Sequence, residues 1–480
     1  RAYVDGGWGT IDSDPAFGGQ GLPFALGFVV LENLGTANMG FGLCPILTSG
    51  AIEAIAAHGS PEQQAMYLPK LITGEWSGTM NLTEPQAGSD VGALRSMAEP
   101  AADGSYRIKG TKIYITFGEH DLAENIVHLV LARTPGAPPG TKGISLFLVP
   151  KIRPDGSRND VRCVSIEHKL GIHGSPTAVM EFSGATGWLV GEEHNGMACM
   201  FTMMNNARLA VGMQGVGVAE GAYQHALAYA MDRKQGRAPI ADGTGTIIDH
   251  ADVRRMLAQM KADIFAARSI GVACAIAIDM AKATGDTDWQ ARAALLTPIA
   301  KSFGSDTGVA VADLGVQIHG GMGFVEETAA AQYLRDARIT PIYEGTNGIQ
   351  SMDLVARKMM DGGAAAFALM DDMEALASAS NSDLAKAVLA AIAQLRATTQ
   401  WVVAQELNER FAGSVAYQKA FARVLGGYFH LVASMSCQAK RQRLARVYVN
   451  SLLPEAASLC AQAQAGAADL YALELDDFAA

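Results

Sequence analysis

The hydrophobic period changes twice along this chain, and that switch constrains its fold more than any other feature. Between about residues 79 and 190, short runs rich in β-branched and aromatic residues alternate with Pro- and Gly-heavy turns. On both sides the apolar residues recur every three to four positions. A strand points alternate side chains to one face, whereas a helix returns every third or fourth, so the two patterns cannot share an element. The β-rich runs are 106–116, alternating around Gly110, then 126–132, 144–149 and 161–166. Pro135-Gly136-Ala137-Pro138-Pro139-Gly140 is one of the turns between them. Their close spacing predicts a compact sandwich or barrel.

Ahead of this block, Ser60-Pro61-Glu62-Gln63 supplies an N-cap, a Pro at the first helical position and a Gln to complete a capping box, and Thr73-Gly74 marks the stop. Behind Gly196, the residues Val253, Met256, Leu257, Met260 and Ile264 form one apolar stripe. Long helices with Gly-rich breaks then run to about Met360, as in a helical bundle. Past Gly362-Gly363 the chain is Ala-rich, and 384–407 and 415–453 predict two long amphipathic helices. The expected fold is mainly α with a central β-domain. Its parts are a helical domain at 1–78, the β-domain at 79–190, a helical bundle at 191–360 and a further helical domain at 361–480.

A length of 480 residues accommodates several such domains. The net charge of −11 argues against a nucleic-acid surface, although Lys440, Arg441, Arg443 and Arg446 form a local basic cluster. No run approaches eighteen apolar residues, so no membrane span is expected. Cys44, Cys163, Cys199, Cys274, Cys437 and Cys460 show no metal or redox spacing. They read as reduced thiols in a cytoplasmic protein without a metal site. The chain opens on Arg1 without an initiator Met, and its Gly- and Asp-rich start suggests that sequence upstream is missing.

Three segments carry candidate chemistry. Thr83-Glu84-Pro85-Gln86-Ala87-Gly88-Ser89-Asp90 opens the β-domain as a polar turn, where Gly88 permits close approach to backbone and Ser89 offers a hydroxyl. Gln317-Ile318-His319-Gly320-Gly321-Met322-Gly323-Phe324 ends a helical stretch with bare glycines that suit either a helix stop or a pyrophosphate. Tyr343-Glu344-Gly345-Thr346-Asn347-Gly348 places one acid in apolar surroundings, a setting that suits proton abstraction. Taken singly, each also reads as an ordinary loop.

Together, their order and spacing resemble the acyl-CoA dehydrogenase family. The resemblance runs from about Gly35 to Met360 and includes Met80-Asn81-Leu82-Thr83-Glu84-Pro85, Tyr114-Ile115-Thr116, Leu334-Arg335-Asp336-Ala337-Arg338-Ile339 and Pro341-Ile342-Tyr343-Glu344-Gly345-Thr346. It implies a helical domain, a barrel-like middle domain and a helical bundle; 361–480 resembles the added domain of larger members. It also implies FAD as cofactor, an acyl-CoA substrate, an electron-transfer flavoprotein as electron acceptor, and at least a homodimer. The run from Lys169 to Thr177 is most similar to methylthiopropionyl-CoA dehydrogenases and their broad-specificity relatives, which points to methylthiopropionyl-CoA or a short- to medium-chain acyl-CoA.

By this resemblance Glu344 removes the α-proton, and its backbone N–H helps hold the enolate-like charge on the thioester oxygen. Met80, Leu82, Thr83, Gly88, Ser89, Tyr114, Ile115 and Thr116 are expected around FAD. Of these, Gly88 and Ser89 are expected near the pyrophosphate; Arg233 is expected at a phosphate, Thr346 at the adenine-pyrophosphate end, and Gln317, Gly320 and Gly321 at the FAD of a neighbouring subunit. Arg208 and Tyr343 are expected at the substrate. Some relatives place the base just before that Arg; here the segment reads Asn205-Asn206-Ala207-Arg208, with Ala207 at that position. Two departures stand out. Arg233-Lys234-Gln235-Gly236-Arg237 lacks an aromatic residue usual in the family, and Gly348 stands where a Gln is common. Two alternatives remain beside the dehydrogenase: an oxidase of the same fold, and a non-catalytic or DNA-associated relative, favoured only by the basic cluster.

Overall fold

The computed structural model describes residues 2–479 except Cys437, and the side chain of Asn205 also lies outside the description. The chain divides into two compact units, Arg1–Leu34 with Asn38–Ala210, and Gly35–Ala37 with Val211–Ala480.

The first unit begins with a single turn, α1 (Ala2–Asp5), followed by α2 (Phe24–His58) and α3 (Pro61–Ile72). Asn38 breaks α2 with extended backbone, and its side-chain oxygen accepts from Phe41 N at 3.0 Å, so the helix is capped afresh there. At α3 the capping box of Ser60 and Gln63 forms as read, and Leu68 and Leu71 are buried.

Seven strands follow: β1 (Trp76–Asn81), β2 (Met97–Pro100), β3 (Tyr106–Thr116), β4 (Asn125–Arg133), β5 (Ile144–Pro150), β6 (Val161–Ile166) and β7 (Thr177–Val190). Pairing runs β4–β5–β7–β3–β2 and returns to β4, which closes a barrel; β1 adds to β4 and β6 to β7. The four β-rich runs match β3 to β6, whereas β1, β2 and β7 were not read as strands. The longest, β7, carries Gly184 and Gly187 and is paired by β3, β5 and β6. Its strand state comes from those partners and not from its own propensity. Ile108, Ile115, Phe147, Met180 and Phe182 fill one core of the barrel. A second core joins its other face to α2 and α3 through Leu68, Leu71, Leu129 and Leu148.

Helix α4 (Gly196–Asp232) runs from the first unit into the second. The second unit continues with α5 (Ala251–Thr284), α6 (Thr287–His319), the single turn α7 (Gly321–Phe324), α8 (Ala330–Ala337) and α9 (Asn347–Val355). The further helices are α10 (Ala364–Ser378), α11 (Asp383–Ala404), α12 (Leu407–Ser434), α13 (Ala439–Val447), α14 (Glu455–Ala463) and α15 (Ala468–Ala472). The long helix expected over 415–453 is therefore broken between α12 and α13. Ser434 and Ser436 donate to the carbonyls of Leu431 and Ala433, consuming helix-end acceptors, an interruption that hydrophobic period does not register.

By length and composition alone, α2, α5 and α11 are each long and apolar enough to cross a membrane. Ala, Val, Leu and Ile spread along each helix raise its mean hydropathy without forming an unbroken stretch of large apolar residues. Among the described cysteines, Cys44, Cys163, Cys199, Cys274 and Cys460 are free thiols; Cys437 lies outside the described residues.

Candidate active site

In the first unit the segment after β1 is held from beneath by a buried ion pair. Lys112 is fully buried in β3 and donates to Glu84 Oε1 at 2.8 Å and to Leu82 O at 3.0 Å. Glu84 also accepts from Arg95 N at 2.7 Å and from the Ser96 hydroxyl at 2.6 Å. Burial alone would raise the Glu84 carboxyl, but Lys112 and these hydrogen bonds outweigh it and hold it at about 2. Burial lowers Lys112 to about 8 against the pull of Glu84, so the pair is charged at neutral pH.

On this platform Met80 is buried, Leu82 and Thr83 are half-buried, and Gly88 and Ser89 are exposed. Nothing lies within 4 Å of where a Cβ at Gly88 would stand. The register of β3 on β7 shifts between Lys112 and Ile115, and in this bulge Tyr114 takes φ 61° and turns its ring outward, 62% exposed. Ile115 points the other way into the barrel core, so it offers only backbone to the outer face; Thr116 is half-buried beside it. Arg208, at the end of this unit, lies 6.0 Å from the centre of the Phe201 ring. Ala207 is buried, so a methyl group occupies the rival base position.

In the second unit α6 stops at His319, where Gly320 takes φ 59°. Gln317, Gly320 and Gly321 are exposed, and a Cβ at either glycine would meet nothing within 4 Å. Beside them Phe324 is 88% exposed. Arg233 is exposed, and its backbone is tied to Tyr229 and Ile247 at 2.9 and 2.8 Å.

The loop before α9 brings the remaining residues together. Tyr343 donates its hydroxyl to Gln214, and burial together with the neighbouring Glu344 pushes the phenol well above its ordinary range, so it stays protonated. Glu344 takes φ 54° and Gly345 φ 85°. A left-handed conformation at a glutamate is uncommon and is held by its surroundings. Gln350 donates to Glu344 O at 3.4 Å, while the fully buried Lys301 donates to Gly345 O at 2.9 Å and to Asn347 Oδ1 at 2.8 Å. Thr346 caps α9 by accepting from Ile349 N at 3.2 Å. Lys301, Asn347, Gln214 and Gln350 were not singled out from the sequence. The one available signal was a lone Lys inside the apolar stretch Leu295-Leu296-Thr297-Pro298-Ile299-Ala300.

Comparison with known sequences decides the family. Residues 1–75 match the acyl-CoA dehydrogenase N-terminal domain, 79–185 its middle domain and 194–360 its C-terminal domain; 367–474 match an acetyl-CoA dehydrogenase C-terminal-like domain. The chain belongs to the acyl-CoA dehydrogenase family. It is 48% identical over 464 residues to 3-methylmercaptopropionyl-CoA dehydrogenase of Ruegeria pomeroyi, covering 91% of this chain and 78% of that protein. Among solved structures, butyryl-CoA dehydrogenase from Megasphaera elsdenii is 28% identical with a TM-score of 0.64, over 73% of this chain and 87% of that one. An acyl-CoA dehydrogenase from Bacillus anthracis, solved with FAD, is 24% identical with a TM-score of 0.80, over 99% of this chain and 83% of that one. This last likeness covers the added domain and establishes the fold. Acyl-CoA dehydrogenases are FAD flavoproteins, and the open glycine backbones at 88, 320 and 321 with the outward Tyr114 ring fit such a cofactor.

Proposed function

We propose that the protein oxidises an acyl-CoA thioester to the trans-2-enoyl-CoA, with Glu344 as the base for the α-proton. The carrying observation is the Glu344 loop, whose strained backbone is pinned on both sides by Tyr343–Gln214 and Lys301–Gly345. A base that must meet one C–H bond benefits from a fixed backbone, because misplacement by about 1 Å costs about 10²-fold in rate. FAD, when bound, supplies the acceptor for the β-hydride. Met80, Leu82, Thr83, Gly88, Ser89, Tyr114, Ile115 and Thr116 would hold it, Gly88 and Ser89 near the pyrophosphate; Arg233 would meet a phosphate, Thr346 the adenine-pyrophosphate end, and Gln317, Gly320 and Gly321 the FAD of a neighbouring subunit. Arg208 and Tyr343 border the substrate, and the Glu344 N–H stabilises charge on the thioester oxygen.

The substrate in this reading is methylthiopropionyl-CoA or a short- to medium-chain acyl-CoA, supported by the 48% identical relative and by the 169–177 loop. That loop is tied by Lys169 to Ser175 O at 2.9 Å. Electrons pass to an electron-transfer flavoprotein, and the enzyme is a cytoplasmic homodimer or larger homo-oligomer of fatty-acid metabolism without a membrane span. Exposure of Phe324 and Met322 beside Gln317 supports a subunit contact there.

Anaerobic titration with straight-chain and sulfur-containing acyl-CoAs should bleach the flavin and rank the substrates; absence of bleaching by every member defeats the reading. Rapid reoxidation in air with substrate bound would instead identify an oxidase.

A further inference from the structure

The added helical domain touches α9, the helix that follows the Glu344 loop, and its central contact there is a buried polar one. Helix α12 grips α9 along its length. Arg410 donates to Val355 O at 3.3 Å, at the C-terminal end of α9. Midway, Gln418 accepts from the Ser351 hydroxyl at 2.6 Å and donates to Pro298 O of α6 at 2.9 Å. Near the N-terminal end, Lys419 lies 3.8 Å from Asp306, which accepts from Asn347 Nδ2 at 2.7 Å. Asn347 in turn accepts from Lys301, the residue that holds Gly345 O.

Gln418 is 3% exposed, and its neighbours Tyr417 and Phe421 are fully buried. An aliphatic residue of similar size would pack there without requiring partners. A buried amide instead costs free energy unless both ends are bonded, and bonded it admits one register of α12 against α6 and α9. Ser351 is equally buried. The contacts therefore fix the position of α9 along α12, and the strained residues Glu344 and Gly345 lie three and two positions ahead of its first residue, Asn347.

We infer that the C-terminal helical domain serves as the positioning element for the base, acting through Gln418 and Lys419 on α9 and through Asn347 and Lys301 on the Glu344 loop. The inference rests on Glu344 being the base. Glu344 is the group that takes the proton; Lys301, Asn347, Ser351, Gln418 and Lys419 are positioning residues.

The test uses the FAD-loaded full chain and a 3-thia-acyl-CoA, whose α-proton is acidic but whose β-position is sulfur and has no hydride to give. In D₂O the enzyme takes the α-proton onto Glu344, exchanges it with solvent and returns deuterium, so washout reports positioning of the base without redox turnover. Lys301→Met should slow washout by about 100-fold, and Gln418→Leu and Ser351→Ala by roughly tenfold, with thia-acyl-CoA affinity and FAD content unchanged. The Gln418→Leu/Ser351→Ala pair should be less slow than the product of the two single effects, since the bond between them is counted in both. Thr399→Val is the control. It breaks the 2.9 Å bond to the Tyr417 hydroxyl inside the added domain, and should lower the unfolding midpoint without changing washout. Washout within twofold of wild type in both Gln418→Leu and Ser351→Ala overturns the inference, as does an equal loss in Thr399→Val. Ser351→Ala removes a single oxygen, so it keeps the test decisive if the larger substitutions fail to fold. Failure of the wild type to wash out any thia-acyl-CoA overturns the assignment of Glu344 as well.

Discussion

Among the described residues two lysines are wholly buried, one in each unit, and they are used differently. Lys112 faces a carboxylate: Glu84 meets it at 2.8 Å and collects further donors from Arg95 and Ser96. Lys301 donates to neutral oxygens, the Gly345 carbonyl and the Asn347 amide, at 2.9 and 2.8 Å, and its charge also pulls down the carboxyl of Asp306 against the effect of burial. A buried ammonium with a carboxylate beside it is largely neutralised locally and works as a staple for the 83–96 segment. Lys301 instead gives its hydrogen bonds to Gly345 and Asn347, in the segment that directly follows Glu344. The contrast separates a staple between two segments from a brace on the loop of the proposed base.

Substitutions at the two sites should separate the same way. The largest effect on chemistry is expected from Glu344→Gln, which keeps FAD and acyl-CoA binding but slows flavin reduction by about 10²- to 10⁴-fold, measured by stopped flow. Near-normal reduction would remove the base from this loop. Lys112→Met should instead act on stability, costing about 3–5 kcal/mol because Glu84 is left buried without its partner. Denaturant unfolding of the holoenzyme reads this loss, and a change under about 1 kcal/mol would show that the pair is not the staple described.

Glu84 also sets an acid limit. Its carboxyl is depressed from 4.5 to about 2, so its contribution is fully present above pH 4.5 and is lost as pH falls from 4.5 to 2. Unfolding free energy followed over that window should fall more steeply in wild type than in Glu84→Gln. Gly345→Ala should cost about 1–3 kcal/mol, since φ is 85° and the new Cβ would stand 2.7 Å from Gln350 Nε2. Its flavin reduction should fall further than that of any substitution at Lys112 which folds. The smallest expected effect is Ser60→Ala, about 1 kcal/mol of stability from the α3 cap with no change in rate. A rate change there would mean that stability and placement are not separable.

Much of the fold was legible because its signals are local. The capping box at Ser60, the stripe on α5 and the β-rich runs of β3 to β6 each specify their element within a few residues. β7 escaped because its pairing partners make it a strand, and the break between α12 and α13 escaped because two helices in succession share one period. The candidate site divides likewise. Glu344 was found from its neighbours in sequence, and the structure adds its left-handed backbone. The groups that hold it were invisible: Lys301 lies 44 positions from Gly345, and Gln418 lies 67 from Ser351 and 120 from Pro298.

The sequence by itself therefore determined the order of helical, barrel and helical domains, the family, and which glutamate is the candidate base. Those properties rest on periodicity, caps and short motifs, whose physics acts between neighbours along the chain. Only the tertiary structure decided that Lys112 is paired with a carboxylate while Lys301 holds the Glu344 loop, and that an added domain braces the helix behind Glu344. The reason is that a buried polar group takes its meaning from its partners, and folding alone brings those partners within 3 Å.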